Sequence, residues 1–220
     1  MKKIISILLG ICLCGGVFAQ TQLKIISFNI HAGYDAPIAD IAAFIKEQDP
    51  DIVALQEVEY YTNRTGANTP RPINNNINML NEFCLLYTSD AAAILSKHSF
   101  DETRRIMLPC AAGTEQRNAA IADIKLPDGT EFSIVDTHID MSKLDNGMSQ
   151  IKEVNRIPQL GKHYIVAGDM NRRVGTAEIN ELSSVWTLAL SREFDHIGYY
   201  PANGWVVKET KVFSDNQLSD

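Results

Sequence analysis

The chain has 220 residues, 45% of them hydrophobic and 21% charged, with a formal net charge of −7. That length suits one large α/β domain with a sizeable core. The acidic balance excludes a general polyanion binder that works by bulk electrostatics, although a bound cation could supply positive charge locally.

Read in chain order, residues 1–19 have the pattern of an export signal. Lys2 and Lys3 form a charged start, residues 4–14 are an apolar run too short to span a bilayer comfortably, and Val17-Phe18-Ala19 puts small or compact residues at positions −3 and −1. The expectation is cleavage before Gln20, giving an exported monomer with no stable membrane span; an uncleaved anchor is the alternative. The mature chain would keep only Cys84 and Cys110, which do not define a disulfide framework.

Leu23, Ile25 and Phe28 mark a first strand. Asp35 is placed to cap a helix with Pro37 in its first turn, and Ile38, Ile41, Ala42 and Ile45 keep helical spacing. Asp49-Pro50 ends that helix, and Ile52 to Leu55 read as a buried strand. This strand–helix–strand unit implies parallel pairing through a crossover. Residues 59–76 form a long polar loop, followed by a helix ending near Phe83. LLYTSDAA at 85–92 interrupts the pattern and reads like the translation of a sequencing adapter, so residues 84–92 receive no functional role. Residues 93–96 are a further strand. Pro127-Asp128-Gly129 joins two β runs into an antiparallel hairpin over 118–137. A helix over 147–159, a strand over 164–167, a short helix over 176–182 and β runs over 194–200 and 205–213 complete the chain. Mixed strands with interleaved helices point to a layered α/β sandwich.

Polar residues stand at the ends of these apolar runs: Asn29, Glu57, Arg117, His138, Asp169, Asn171, Asp195 and Asp220. Carboxylates and amides on strand ends can converge on one pocket, and a hard cation with a phosphate ester suits such a pocket. Glu57 is the candidate for the primary Mg²⁺ ligand. Asp169 could orient or deprotonate water, with Gly168 allowing a tight turn and Asn171 holding that water or a phosphate oxygen. His138 could donate to a phosphoryl oxygen, its tautomer fixed by Asp136 or Asp140. Asn29 could position Glu57 or the metal-bound water, and Arg117 is a candidate phosphate clamp, with Arg64 a weaker one. On a strand, His196 should face away from the side on which Asp195 lies.

The set SFNI at 27–30, LQEV at 55–58, AILSK at 93–97, THID at 137–140, GDMN at 168–171 and DHI at 195–197 resembles the endonuclease/exonuclease/phosphatase superfamily. The resemblance implies a DNase I-like four-layer α/β sandwich, with two mixed β-sheets flanked by helices, and dependence on Mg²⁺ or Mn²⁺. It implies water attack on a phosphodiester or phosphomonoester, with nucleic acid, lipid head groups and sugar phosphates as candidate substrates. It assigns metal binding to Glu57, Asn29 and Asp220. It places His138 and Asn171 on the phosphate, where Arg117 is already a candidate, and His138, Asp169, Asn171, Asp195 and Asp220 in the catalytic set. The family's terminal Ser-Asp-His motif stops here at Ser219-Asp220, while Ser214-Asp215-Asn216 offers a rival alignment; either way the general-base histidine is absent as written. The expectation is therefore an impaired hydrolase, with a phosphate- or nucleotide-binding module of the same fold as the alternative.

Overall fold

The structure is a computed structural model and describes residues 4–10, 21–58, 85–89 and 91–213. Sheet A contains β1 (Ile4–Gly10), β2 (Gln22–Asn29), β3 (Ile52–Val58), β4 (Leu85–Ser89), β5 (Ala91–Ser96) and β12 (Val206–Phe213). Its order is β12-β1-β2-β3-β5-β4. Sheet B contains β6 (Phe100–Met107), β7 (Asn118–Lys125), β8 (Glu131–His138), β9 (Tyr164–Asp169), β10 (Thr187–Arg192) and β11 (Asp195–Tyr200), in the order β10-β11-β9-β8-β7-β6. Three helices, α1 (Ile38–Gln48), α2 (Leu144–Val154) and α3 (Ala177–Ser183), cover the outer faces.

Alternation along each strand builds the layers. Leu23, Ile25, Ile52, Ala54 and Ile94 of sheet A face Ala120, Ile134, Ile165 and Ile197 of sheet B in a central core. The intervening residues Ile26, Phe28, Val53 and Leu55 pack under α1, against Ile41 and Ile45. Ile121, Val135 and Val166 of sheet B pack under Ile151 of α2 and Ile179 and Leu182 of α3. The order helix, sheet, sheet, helix is the four-layer sandwich expected from the sequence. Strands buried on both faces read as continuous apolar runs, which is why β2, β3 and β9 stand out before any folding argument.

Each sheet holds one parallel pair, β2 with β3 and β8 with β9, and every other pairing is antiparallel. The helices α1 and α2 make the two crossovers, as parallel strands require. Both pairs end at the same edge of the sandwich, which brings Asn29 and Glu57 to His138 and Asp169.

Several local expectations are corrected. Asp35 does not cap α1: the N-cap position is Pro37 with no side-chain cap bond, and Asp35 instead meets His31 Nδ1 at 2.8 Å. Strand β10 was not expected. Leu188, Ala189 and Leu190 are only half-buried, so its apolar signal is short. Without bearing on the expected export signal, Ile4–Gly10 of its apolar run pair as β1, between β2 and β12. Residues 85–89 pair in register with β5 as an edge strand. The long polar loop with Arg64, the helix ending near Phe83, and Asp215, Asn216 and Asp220 lie outside the described residues.

Candidate active site

Two backbone devices aim the site residues. Glu57 is the extra residue of a β-bulge, where the β3–β5 register shifts between Gln56 and Val58, and its φ is +58°. A bulge re-aims one side chain without ending the strand, and the Glu57 side chain reaches Asn29. Gly168 lies inside β9, opposite Thr137 of β8. A Cβ there would sit 1.9 Å from the Thr137 carbonyl oxygen. The glycine therefore permits close strand approach rather than the tight turn expected.

Asn29 is the hub between the sheets. Its Nδ2 donates to Glu57 Oε1 and to Asp169 Oδ2, each at 3.0 Å, and its Oδ1 accepts from the His31 amide at 2.9 Å. Asn29, Glu57 and Asp169 are at most 5% exposed. One neutral amide thus tethers two buried carboxylates, and hard oxygen donors so placed suit a divalent cation. Among the described residues no group of three His, Cys, Asp or Glu side chains forms a ready-made metal cluster. Mg²⁺ needs only one or two carboxylates, since water and substrate oxygens supply the rest. The residues present fit such an ion, with Glu57 as the donor and Asn29 as its support.

His138 sits between Arg117 and Asn171. Arg117 Nη1 lies 2.9 Å from His138 Nδ1, and Arg117 Nη2 pairs with Glu115 at 3.1 Å. Guanidinium can only donate, so Nδ1 accepts and the ring proton belongs on Nε2. Nε2 lies 2.9 Å from Asn171 Nδ2 and 3.8 Å from Asp169 Oδ2. Asn171 Nδ2 also donates to the Ile139 carbonyl at 2.8 Å. Hydrogen-bond donors converge here, and an anionic oxygen between them would satisfy the crowding.

The tautomer-fixing role expected of Asp136 or Asp140 falls to Arg117. Asp140 accepts from Asn146 Nδ2 at 2.7 Å and from the amide and hydroxyl of Ser142. Burial pushes its carboxyl up, but these donors and the nearby Arg117 charge together hold it below the usual range. Asp136 lies between the sheets and accepts from Gln56 Nε2 at 2.6 Å. Burial holds its carboxyl well above the ordinary value, against the opposing hydrogen bonds from Gln56 and the backbone. Its Oδ2 and Gln56 Oε1 are both buried without a hydrogen-bond partner among the described residues.

Asp195 faces Asp169 directly across the β11–β9 ladder and is 2% exposed. Asn171 closes an Asx turn, its N–H donating to Asp169 Oδ1 at 2.8 Å. The turn and the functional arrangement are therefore one structure. His196 is buried, with Nε2 2.8 Å from the Arg172 carbonyl and Nδ1 2.9 Å from Ser191 Oγ. Sequence reasoning passed over Gln56, Arg172 and Glu178, and gave His196 an orientation but no role. Their pairings span 80 positions for Gln56–Asp136 and 24 for His196–Arg172, so no local pattern marks them.

Residues 26–220 match the model of the Endonuclease/Exonuclease/phosphatase family. Among solved structures, an endonuclease/exonuclease/phosphatase from Beutenbergia cavernae superposes with a TM-score of 0.63 at 18% identity, over 82% of this chain and 64% of that one. The chain thus spans less than two thirds of that relative's length. The mannosyl-6-phosphatase Bt3783 of Bacteroides thetaiotaomicron gives 0.65 at 12% identity, over 87% of this chain and 100% of its own. Truncated TDP2 of Caenorhabditis elegans gives 0.61 at 18%, over 80% and 83%. No curated protein matches the sequence significantly. At these identities the superpositions show the fold alone.

Proposed function

The chain belongs to the endonuclease/exonuclease/phosphatase family of phosphoric ester hydrolases, and from that premise we propose that it is an exported, monomeric, Mg²⁺- or Mn²⁺-dependent phosphoesterase. The observation that carries this reading is the single Asn29 amide bridging Glu57 of one sheet and Asp169 of the other, beside the donors gathered at His138. Glu57 would hold the metal, with Asn29 fixing its carboxylate. When bound, that ion would neutralise the phosphate and the leaving oxygen.

The other residues act on the ester and the water. Asp169, anchored by Asn29 and by the Asn171 amide, orients the attacking water and draws on its proton. Asp195, alongside it, supports the proton-handling end of the site. His138 presents its Nε2–H to a phosphoryl oxygen, held in that tautomer by Arg117, and Asn171 donates to the same region. Substrate choice lies among phosphodiesters and phosphomonoesters, nucleic acid included. Export rests on the pattern of residues 1–19. Among the described residues no helix is long and apolar enough to cross a membrane.

The test is calorimetric Mg²⁺ titration of wild type and Glu57→Gln, run beside turnover of bis(p-nitrophenyl) phosphate and p-nitrophenyl phosphate. Loss of Mg²⁺ binding in the variant, with turnover reduced on the order of 10²–10⁴-fold, is expected. Metal binding and turnover both indifferent to Glu57 would overturn the proposal.

A further inference from the structure

We infer that Arg172 is the positioning residue for Asn171: locked against Glu178 and admitted by Gly147, its guanidinium fixes the backbone that aims the Asn171 amide at the substrate. The inference rests on the phosphoesterase reading of the site. Asn171 has a φ of +50°, a left-handed conformation that a non-glycine residue keeps only when its surroundings impose it. Arg172 Nη1 donates to the Asn171 carbonyl at 2.8 Å, and Arg172 Nε donates to Glu178 Oε1 at 3.0 Å. Arg172 and Glu178 are each only 6% exposed. The guanidinium charge is therefore met inside the fold, so Arg172 is not a phosphate clamp.

The next carbonyl is held as well. Burial lowers the His196 pKa, so the ring is neutral; Nε2–H donates to the Arg172 carbonyl, and Nδ1 accepts from Ser191. His196 of β11 thus holds the Arg172 carbonyl, Glu178 of α3 holds the guanidinium that binds the Asn171 carbonyl, and Asp169 accepts from the Asn171 N–H on the near side. The amide is left aimed at His138.

Gly147 supplies the independent sign. It lies in α2, where glycine ordinarily weakens a helix relative to alanine. A Cβ at this position would stand 2.6 Å from Arg172 Nη2 and 3.2 Å from Cζ. A methyl there must push the guanidinium tip aside, a direct displacement of the clamp, and it also presses on the Asp140 carbonyl oxygen at 3.3 Å.

Gly147→Ala, Glu178→Gln and Arg172→Lys should be compared with wild type by amide hydrogen exchange at Asn171 and by Mg²⁺-dependent turnover of bis(p-nitrophenyl) phosphate, with Glu57→Gln as reference. Gly147→Ala should speed Asn171 N–H exchange by tenfold or more beyond any change at core amides, and lower kcat by a similar factor at unchanged KM. Glu178→Gln should act in the same direction. Arg172→Lys should fail to rescue, because an ammonium lacks the planar fork that reaches two partners at once. Exchange at Asn171 unchanged in Gly147→Ala, or faster only in step with every core amide, would overturn the clamp. Wild-type turnover that ignores Glu57 would sink the hydrolase reading instead, and Asn171 exchange would still decide the clamp.

Discussion

The two sheets are built to the same plan and hold their half-sites by different means. Each has six strands and one parallel pair joined by a helical crossover. In sheet A, Asn29 and Glu57 project directly from strand ends, and a one-residue bulge at Glu57 does the aiming. In sheet B, His138 and Asp169 end their strands, but Asn171 follows on a loop backed by Arg172, Glu178 and His196. Asp140 there ties into α2 through Asn146, and its amide donates to Gln150. One half-site depends on local backbone geometry; the other depends on a side-chain network between distant segments. The contrast teaches that a substitution far from the chemistry should be felt more in the second half than in the first.

The largest test of that contrast is Gly168→Ala. The added Cβ would meet a backbone oxygen of the neighbouring strand at 1.9 Å, and that oxygen cannot move without breaking the β8–β9 ladder. The parallel pair of sheet A carries no glycine over its paired residues Ile25–Asn29 and Ile52–Gln56, so this requirement belongs to sheet B. Destabilisation of roughly 3–5 kcal/mol is expected in urea unfolding. A loss under about 1 kcal/mol would mean the two strands are less tightly apposed than described.

The same contrast explains what could be read in advance. A layered α/β sandwich was legible because β2, β3 and β9 are buried on both faces and α1 and α2 carry one apolar side; that it has four layers came from the family resemblance. Asn29, Glu57, His138 and Asp169 were legible because each ends or nearly ends such a run. What escaped was non-local or conformational. The bulge at Glu57 leaves no mark in LQEV, since any residue may occupy the strand until its partner strand is known. Glycine at 168 was noticed, but its reason, the Thr137 carbonyl, lies 31 positions away in sequence. Asp136 looked like a histidine partner because it is two residues from His138. Alternation puts it on the same face of β8 as His138, but there it meets Gln56 of the other sheet instead.

A second, smaller test concerns sheet A. Strand β12 reaches the rest of its sheet through β1, pairing from Ile4↔Phe213 to Gly10↔Val206. A chain begun at Gln20, as cleavage of an export signal would leave it, removes that strand. Amide protection along β12 should fall by roughly 10²-fold or more, the equivalent of two or more ladder bonds at about 0.5–1.5 kcal/mol each, while β8 and β9 keep theirs. Equal protection in both forms would show that β12 is held without β1, and that sheet A, like sheet B, is secured by contacts beyond its own ladder.

The smallest effect concerns a second bond between the two halves, beside the one from Asn29 to Asp169. Asp136→Asn replaces a carboxyl by its neutral isostere; the amide oxygen can still accept from Gln56 Nε2, and the new Nδ2 can donate to the buried Gln56 Oε1. In the wild type, burial raises the Asp136 pKa, so the folded state keeps a proton that the unfolded chain releases above the ordinary value of 3.8. Its contribution to stability therefore falls as pH rises from that value toward the raised one. The variant has no such slope. Its margin over wild type should be slight near about pH 4 and should grow to on the order of 1–3 kcal/mol near about pH 8, the cost of leaving buried polar groups unmatched. Urea unfolding at the two pH values measures the difference. A margin that does not grow with pH would mean that Asp136 does not hold its proton, and that the contact between sheet A and sheet B beside Glu57 is a charged one.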